Sequence, residues 1–304
     1  MIPWQVPVVT RVIMAHGVHP IILKKVAGDW SRAKGLRLMF FLCMLLSVVM
    51  LLVMRPHLTI NRYWFLVLGL GSANSFAAYA QWRAVDISLS RTALFTFMDD
   101  VIPIILGFVF LGESKILTPL LFVGIVICVS GAISYAVLES KAKAKEDAKR
   151  RKTDEPAPRT VSIFIWIGIY SVIWGVAHFA FRAYAISGMP VANFLVAWYG
   201  GAFLGSYLVL SITSKNERGA SLSRKQIVLV SYLALSAAAC LALEYWASMH
   251  APLAVTQPIF QVTEMILPTM LGLFLFKEIK ELNGAKKLIF AVTFVGSFMV
   301  ALGY

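Results

Sequence analysis

Two carboxylates, Asp99 and Glu264, lie inside long apolar runs of the sequence, 88–111 and 253–276. Each belongs to a matched set. Thr92, Thr96, Asp99 and Pro103 are spaced by four, three and four residues, and Gln257, Gln261, Glu264 and Pro268 repeat that spacing. Such spacing puts each set on one helix face. A carboxylate in hydrocarbon costs about 2.5–3.5 kcal/mol on insertion scales, so both acids are expected to face a cavity or a partner rather than lipid. The chemistry open to them is to carry a proton or to hold a cationic group. The alternative is a structural pairing with Arg or His on a neighbouring helix. Asp100 lies about 100° further round the helix from Asp99 and either joins the cavity or pairs across to a neighbour. A proline one turn beyond each acid frees a carbonyl and bends the helix, which suits a gate or binding site.

Further polar groups interrupt other apolar runs. Arg11, His16 and His19 stand in the first, and Trp174, His178 and Arg182 run at spacing four in the sixth. Histidines facing the two acids would form a proton relay, whereas a lone buried histidine is an ordinary hydrogen-bonded core residue. Arg182 either binds a substrate carboxylate or neutralises one of the acids. Tyr79 and Glu244 lie deep in the third and eighth runs and are cavity candidates, while Trp82 and Trp246 read as interfacial belt residues. Glu113 and Glu278 are expected to end helices in a structural role. Gly69, Gly71, Gly200, Gly201 and Gly205 read as close helix contacts.

No metal or cofactor is expected. Cys43, Cys128 and Cys240 stand alone, without metal-ligand or disulfide spacing. No third aspartate extends the Asp99-Asp100 pair into a metal motif, and no nucleophile with its base at workable spacing indicates an enzyme.

The elements that must position these groups are membrane spans. The 304 residues are 59% hydrophobic and 14% charged, with a mean hydropathy of +0.78, far from the balance of a soluble domain. Stretches of about 20 apolar residues, each enough to cross a bilayer, occur near 4–23, 36–54, 63–84, 88–111, 117–138, 161–184, 191–212, 226–249, 253–276 and 286–304. If these ten alternate, the odd-numbered connections carry 23 of the 28 Lys and Arg residues. The positive-inside rule then puts the odd loops in the cytoplasm and both termini outside. With basic residues so dispersed, the net charge of +13 points to membrane orientation and not to nucleic acid. No removable signal peptide is expected, because a basic leader is lacking after Met1. The hydrophilic break 139–160, rich in Lys and Ala and then Pro156 and Pro158, reads as a solvated cytoplasmic linker. It divides the chain into halves 1–138 and 161–304.

The segment from Asp99 through Pro103 and Gly107 to Glu113 lies without gaps over Glu264, Pro268, Gly272 and Glu278 at a constant offset of 165, continuing to Gly131 over Gly296. Because each half has five spans, the copies enter the membrane in opposite senses, which makes an inverted repeat. Five-plus-five inverted spans, with Pro-x3-Gly-x5-Glu closing the fourth span of each half, resemble the drug/metabolite transporter superfamily, in its EamA-type branch. The second copy departs from the pattern at Phe276-Lys277, where the first has Leu111-Gly112. The resemblance implies an all-α fold of ten transmembrane helices and alternating access around a central cavity built from both halves. The expected function is secondary transport of a small polar solute, amino-acid-like or an amine, coupled to protons or to exchange, in a bacterial inner membrane. The alternative on the same fold is a flippase for a lipid-linked or phosphorylated carrier.

Overall fold

The structure is a computed structural model that describes residues 5–27, 31–96, 98–151, 163–213, 221–277 and 284–302. Its elements are helices α1 (Gln5–Val26), α2 (Arg32–Met54), α3 (Arg62–Ile87), α4 (Leu89–Phe95), α5 (Met98–Phe110), α6 (Pro119–Arg151), α7 (Ile163–Ile186), α8 (Val191–Ile212), α9 (Arg224–His250), α10 (Leu253–Leu275) and α11 (Gly284–Leu302). No strand occurs among the described residues. Six of these helices, α1, α2, α7, α8, α9 and α10, are long and apolar enough to cross a membrane. The fold is therefore that of an α-helical, multi-pass membrane protein.

Local chemistry fixes where the helices start. Ser31, Asn61 and Ser88 cap α2, α3 and α4 by accepting from backbone N–H groups three residues on. Ser223 and Gln226 form a reciprocal capping box at α9, the pattern that satisfies two of the orphan donors at a helix start. Pro190 and Pro252 stand immediately before α8 and α10. The α10 start also receives help from far away in sequence, because the Leu253 N–H donates to Glu113 Oε2 at 3.0 Å.

Packing inverts the rule of soluble proteins. Large apolar side chains such as Val53, Val109, Phe110, Ile212 and Leu288 are mostly exposed, while Arg11, His16, Asn74, Asp99, Asp100, Glu244 and Gln257 are buried. Water would penalise both halves of that arrangement, and lipid rewards the first. The main apolar core lies where α2, α3, α7, α8 and α9 meet, around Phe40, Trp82, Phe181, Phe194, Trp198 and Tyr245. There α3 and α8 touch backbone to backbone. A side chain at Gly71 would strike the Trp198 carbonyl, and one at Gly201 would strike that of Leu68, while Ser72 Oγ donates to the Gly201 carbonyl at 3.0 Å. Gly205 is equally tight, but Gly69 and Gly200 have open space beside them.

The two ends of the bundle are tied separately. At one end Lys24 Nζ donates to the carbonyls of Val85 (2.8 Å) and Asp86 (3.2 Å), and Arg32 pairs with the Asp86 carboxylate. At the other, Asn193 Nδ2 donates to the His57 carbonyl at 2.9 Å and the Tyr245 hydroxyl to the Met189 carbonyl at 2.8 Å.

Three features differ from the expectation. The run 88–111 is not one helix: α4 ends at Phe95 with Thr96 as its C-cap, and α5 starts at Met98. The hydroxyls of Thr92 and Thr96 bond back to the carbonyls of Ser88 and Ala93, the kind of local bond that competes with the helix ladder. The segment 139–151 is helical, continuing α6 to Arg151. Its alternating Lys and Ala residues are strong helix formers; residues 152–162 of the expected linker lie outside the described residues. Finally, α1 contains a π-helical segment, Ile13–Val18, which no periodicity in the sequence announces.

Candidate functional site

A cavity of about 130 Å³ opens in the middle of the bundle, a volume of the order that admits a benzene-sized molecule. Its wall takes Arg11, His16 and His19 from α1, Asn74 and Trp82 from α3, and Tyr170, Trp174 and His178 from α7. Trp198 and Tyr199 of α8, Glu244 of α9 and Glu264 of α10 also line it. The π segment explains how Arg11 and His16 of α1 both reach it. Residues five apart diverge by about 140° on an α-helix, but the wider π turn brings Arg11 and His16 together, and Arg11 Nη1 lies 3.4 Å from His16 Nε2. Single π turns of this kind recur at functional sites.

Glu244 is fully neutralised. Arg11 donates to its Oε2 through Nε at 2.9 Å and approaches the same oxygen with Nη2 at 2.9 Å. His178 Nδ1 bonds the other oxygen. The guanidinium also lies over the Phe260 ring, 3.7 Å from its centroid, a cation–π contact. Trp174 packs on His178 with ring centroids 5.1 Å apart.

His16 joins this cluster to Glu264. Its Nδ1 is 2.7 Å from Thr263 Oγ1, and that hydroxyl donates to the carbonyls of Ile259 and Phe260. An arginine can only donate, so Nε2 accepts from Arg11 and a neutral ring carries its proton on Nδ1, facing Thr263 Oγ1. Glu264 Oε2 stands 3.9 Å from Nε2, beyond a hydrogen bond.

Glu264 faces a second acidic group. Oxygens of Asp99, Asp100 and Glu264 all lie within 4.8 Å of one another. Asp99 and Asp100 are only 1% and 3% exposed. Asp99 Oδ1 has no hydrogen-bond partner among the described residues. Thr96 Oγ1 lies 3.3 Å from Glu264 Oε1, and Ser171 Oγ donates to the Thr96 carbonyl at 3.4 Å. Asp99 and Asp100 do not line the cavity, while Glu264 belongs both to the acid group and to the cavity wall.

The sequence candidates thus divide. Asp99, Asp100, Thr96 and Glu264 form one group, and His16, His178, Trp174 and Glu244 another that shares the cavity wall with Glu264. Gln257 and Gln261 are buried on α10 but do not line the cavity. Tyr79 points elsewhere, with its ring 6.1 Å from that of Trp166. Arg182 is also outside: its Nε donates to Glu113 at 3.0 Å and its Nη1 to the Ser248 carbonyl at 2.6 Å. This ion pair places Glu113 where its other oxygen caps α10. Pro103 and Pro268 sit within α5 and α10, each four residues after an acid of the cluster. Glu278 lies outside the described residues.

Trp82 corrects the belt reading, being 1% exposed and part of the cavity wall. Tyr170, Trp198 and Tyr199 were not singled out in the sequence. Tyr170 was findable, since it extends the Trp174 and His178 stripe by one turn. Trp198 and Tyr199 reach the cavity through the glycine-tight approach of α8 to α3, which single-helix periodicity does not reveal.

No protein-family model matches the sequence, and no curated protein sequence matches it. Among solved structures, a chain described only as "Crystal structure of protein" superposes with a TM-score of 0.67 at 13% identity, covering 98% of this chain and 97% of that one. A likeness at that identity establishes a shared fold.

Proposed function

We propose that the protein is a secondary active transporter of the drug/metabolite superfamily, EamA-type, moving a small polar solute by alternating access with proton coupling or exchange. The observation that carries this reading is the meeting of Asp99 and Glu264. They are equivalent positions of the sequence repeat, 165 residues apart, and their carboxylates adjoin one another beside the central cavity. Equivalent residues of two copies come together only near a symmetry axis, where an inverted-repeat transporter keeps its binding site. Helix pairing supports the same ten-span, five-plus-five scheme. The α3–α8 contact is matched by α2–α9, α3–α7 by α1–α9, and α5–α7 by α1–α10. The helix ends agree as well. Gly112 has φ 68° and its repeat partner Lys277 has φ 59°, so the same left-handed turn ends both copies although the residue differs.

The Lys24, Arg32 and Asp86 cluster gathers the basic first and third loops at one end, and the positive-inside rule makes that end cytoplasmic. Both termini then lie outside, 139–160 lies in the cytoplasm, and the short loops suit a bacterial inner membrane. The test is a panel of labelled solutes in proteoliposomes with an imposed pH gradient. Gradient-driven flux of one solute, lost in both Asp99→Asn and Glu264→Gln, is expected. Unchanged flux in both variants would return these acids to a structural role.

One observation favours a lipid-linked cargo as the second reading. An apolar hollow of about 170 Å³, bordered by Leu46, Met50 and Leu195, adjoins the central cavity through the shared Tyr199. An acyl chain fits that hollow and a headgroup the cavity. Absence of flux for every water-soluble solute, with reconstituted lipid-carrier exchange present, would select this reading.

A further inference from the structure

The acids of the bundle interior are not balanced alike, and the imbalance has a place. Arg11 is committed to Glu244 by two contacts of 2.9 Å. His16, with its Nδ1 proton on Thr263 and its Nε2 accepting from Arg11, brings no positive charge to Glu264. Arg182 of α7 is held by Glu113. Among the described residues, Asp99, Asp100 and Glu264 therefore face one another with no arginine or lysine paired to them. Three like charges in a low-dielectric interior do not stay ionised side by side without a counterion.

The cluster has a second property that clustering alone does not produce. Asp99 Oδ1 is buried without a hydrogen-bond partner among the described residues. Buried carboxylate oxygens are ordinarily satisfied, and one that is not indicates a missing partner. The oxygens available are all hard ligands: three carboxylates, with the Thr96 hydroxyl 3.3 Å from Glu264. Oxygens up to 4.8 Å apart can sit on opposite sides of an ion that binds at about 2.3–2.6 Å, the range of a calcium-sized cation and longer than magnesium demands.

We infer that Asp99, Asp100 and Glu264 form a binding site for a hard, oxygen-preferring metal cation of sodium or calcium size. Because Glu264 also lines the cavity, an ion in this site withdraws that carboxylate's charge from whatever occupies the cavity. The cation is then a second coupling ion of the transport cycle, alternating with protons on the same carboxylates. That last step rests on the transport reading; the binding site itself does not.

The two are tested separately. The purified full chain in detergent is dialysed to equilibrium against radioactive sodium or, in a second arm, radioactive calcium. Saturable binding of one ion per chain in one of the arms is expected, with affinity at least tenfold weaker in Asp99→Asn and Asp100→Asn. Glu264→Asp keeps the charge but withdraws the oxygen by one methylene, and an intermediate loss is expected there, which guards against a variant that merely fails to fold. Absence of binding in both arms, or binding unchanged in all three variants, overturns the site. If solute flux still follows a pH gradient in that case, the transport reading stands and only the metal inference fails. Binding without any cation-driven flux of solute in proteoliposomes would retain the site and remove its coupling role.

Discussion

Glu244 and Glu264 are acids of the same cavity wall, yet their surroundings are opposite. Glu244 has Arg11 on one oxygen and His178 on the other, so its charge is settled by residues of the chain itself. Glu264 has a distant neutral imidazole, a threonine hydroxyl and two more acids. An internally paired charge is part of the scaffold, whereas an unpaired one waits for something mobile. The cavity wall holds one of each, linked through the single side chain of His16.

The comparison breaks most visibly at Arg11. Arg11→Met leaves Glu244 buried with only His178, and loss of one partner of a buried pair typically destabilises by about 3–5 kcal/mol. Thermal unfolding in detergent should report that loss, and Arg11→Met combined with Glu244→Gln should recover most of it. An Arg11→Met protein as stable as the parent would mean that Glu244 is not held as described. Asp99→Asn should behave in the opposite way, relieving repulsion, so that the melting temperature holds or rises while solute flux falls at least tenfold. A drop in stability parallel to the loss of flux would make the acid cluster scaffold like Glu244.

Smaller effects sharpen the contrast. Trp174→Phe keeps the ring packed on His178 but removes an indole N–H that is buried without a partner among the described residues. A rise in KM of several-fold with unchanged stability is expected if that donor serves cargo. Away from both acids, Ser223→Ala removes the α9 capping box and should cost about 1 kcal/mol with no change in transport, a baseline for the other variants.

Much of this was legible in the sequence because a repeat carries geometric information. The constant offset of 165 singled out Asp99 and Glu264 as corresponding positions, and the structure sets them side by side. Glu244 and the His178 stripe were also visible as polar groups in apolar runs. What was hidden depends on departures from regular geometry. Arg11 and His16 converge only through a π turn, which a period of 3.6 cannot represent. The face from Thr92 to Pro103 is interrupted because threonine hydroxyls compete for backbone carbonyls near Thr96. Trp82 reads as a belt residue because its position near a span end is common to belts, and only its packing into the core beside Phe181 and Trp198 distinguishes the two. Arg182 meets Glu113 across 69 residues, a long-range pairing no local pattern encodes.

The indoles described as cavity wall have a further consequence. Trp82, Trp174 and Trp198, three of the eight tryptophans in the chain, share that wall, and the rings of Trp174 and Trp198 are 6.0 Å apart. Indole emission depends on local polarity and on nearby quenchers such as the His178 imidazole beside Trp174. Filling the cavity replaces solvent around these rings, so the protein carries its own optical gauge of occupancy. Cargo screening then needs neither a label nor a reconstituted membrane: a change in intrinsic fluorescence on adding a solute, lost when Trp174 becomes Phe, reads binding directly.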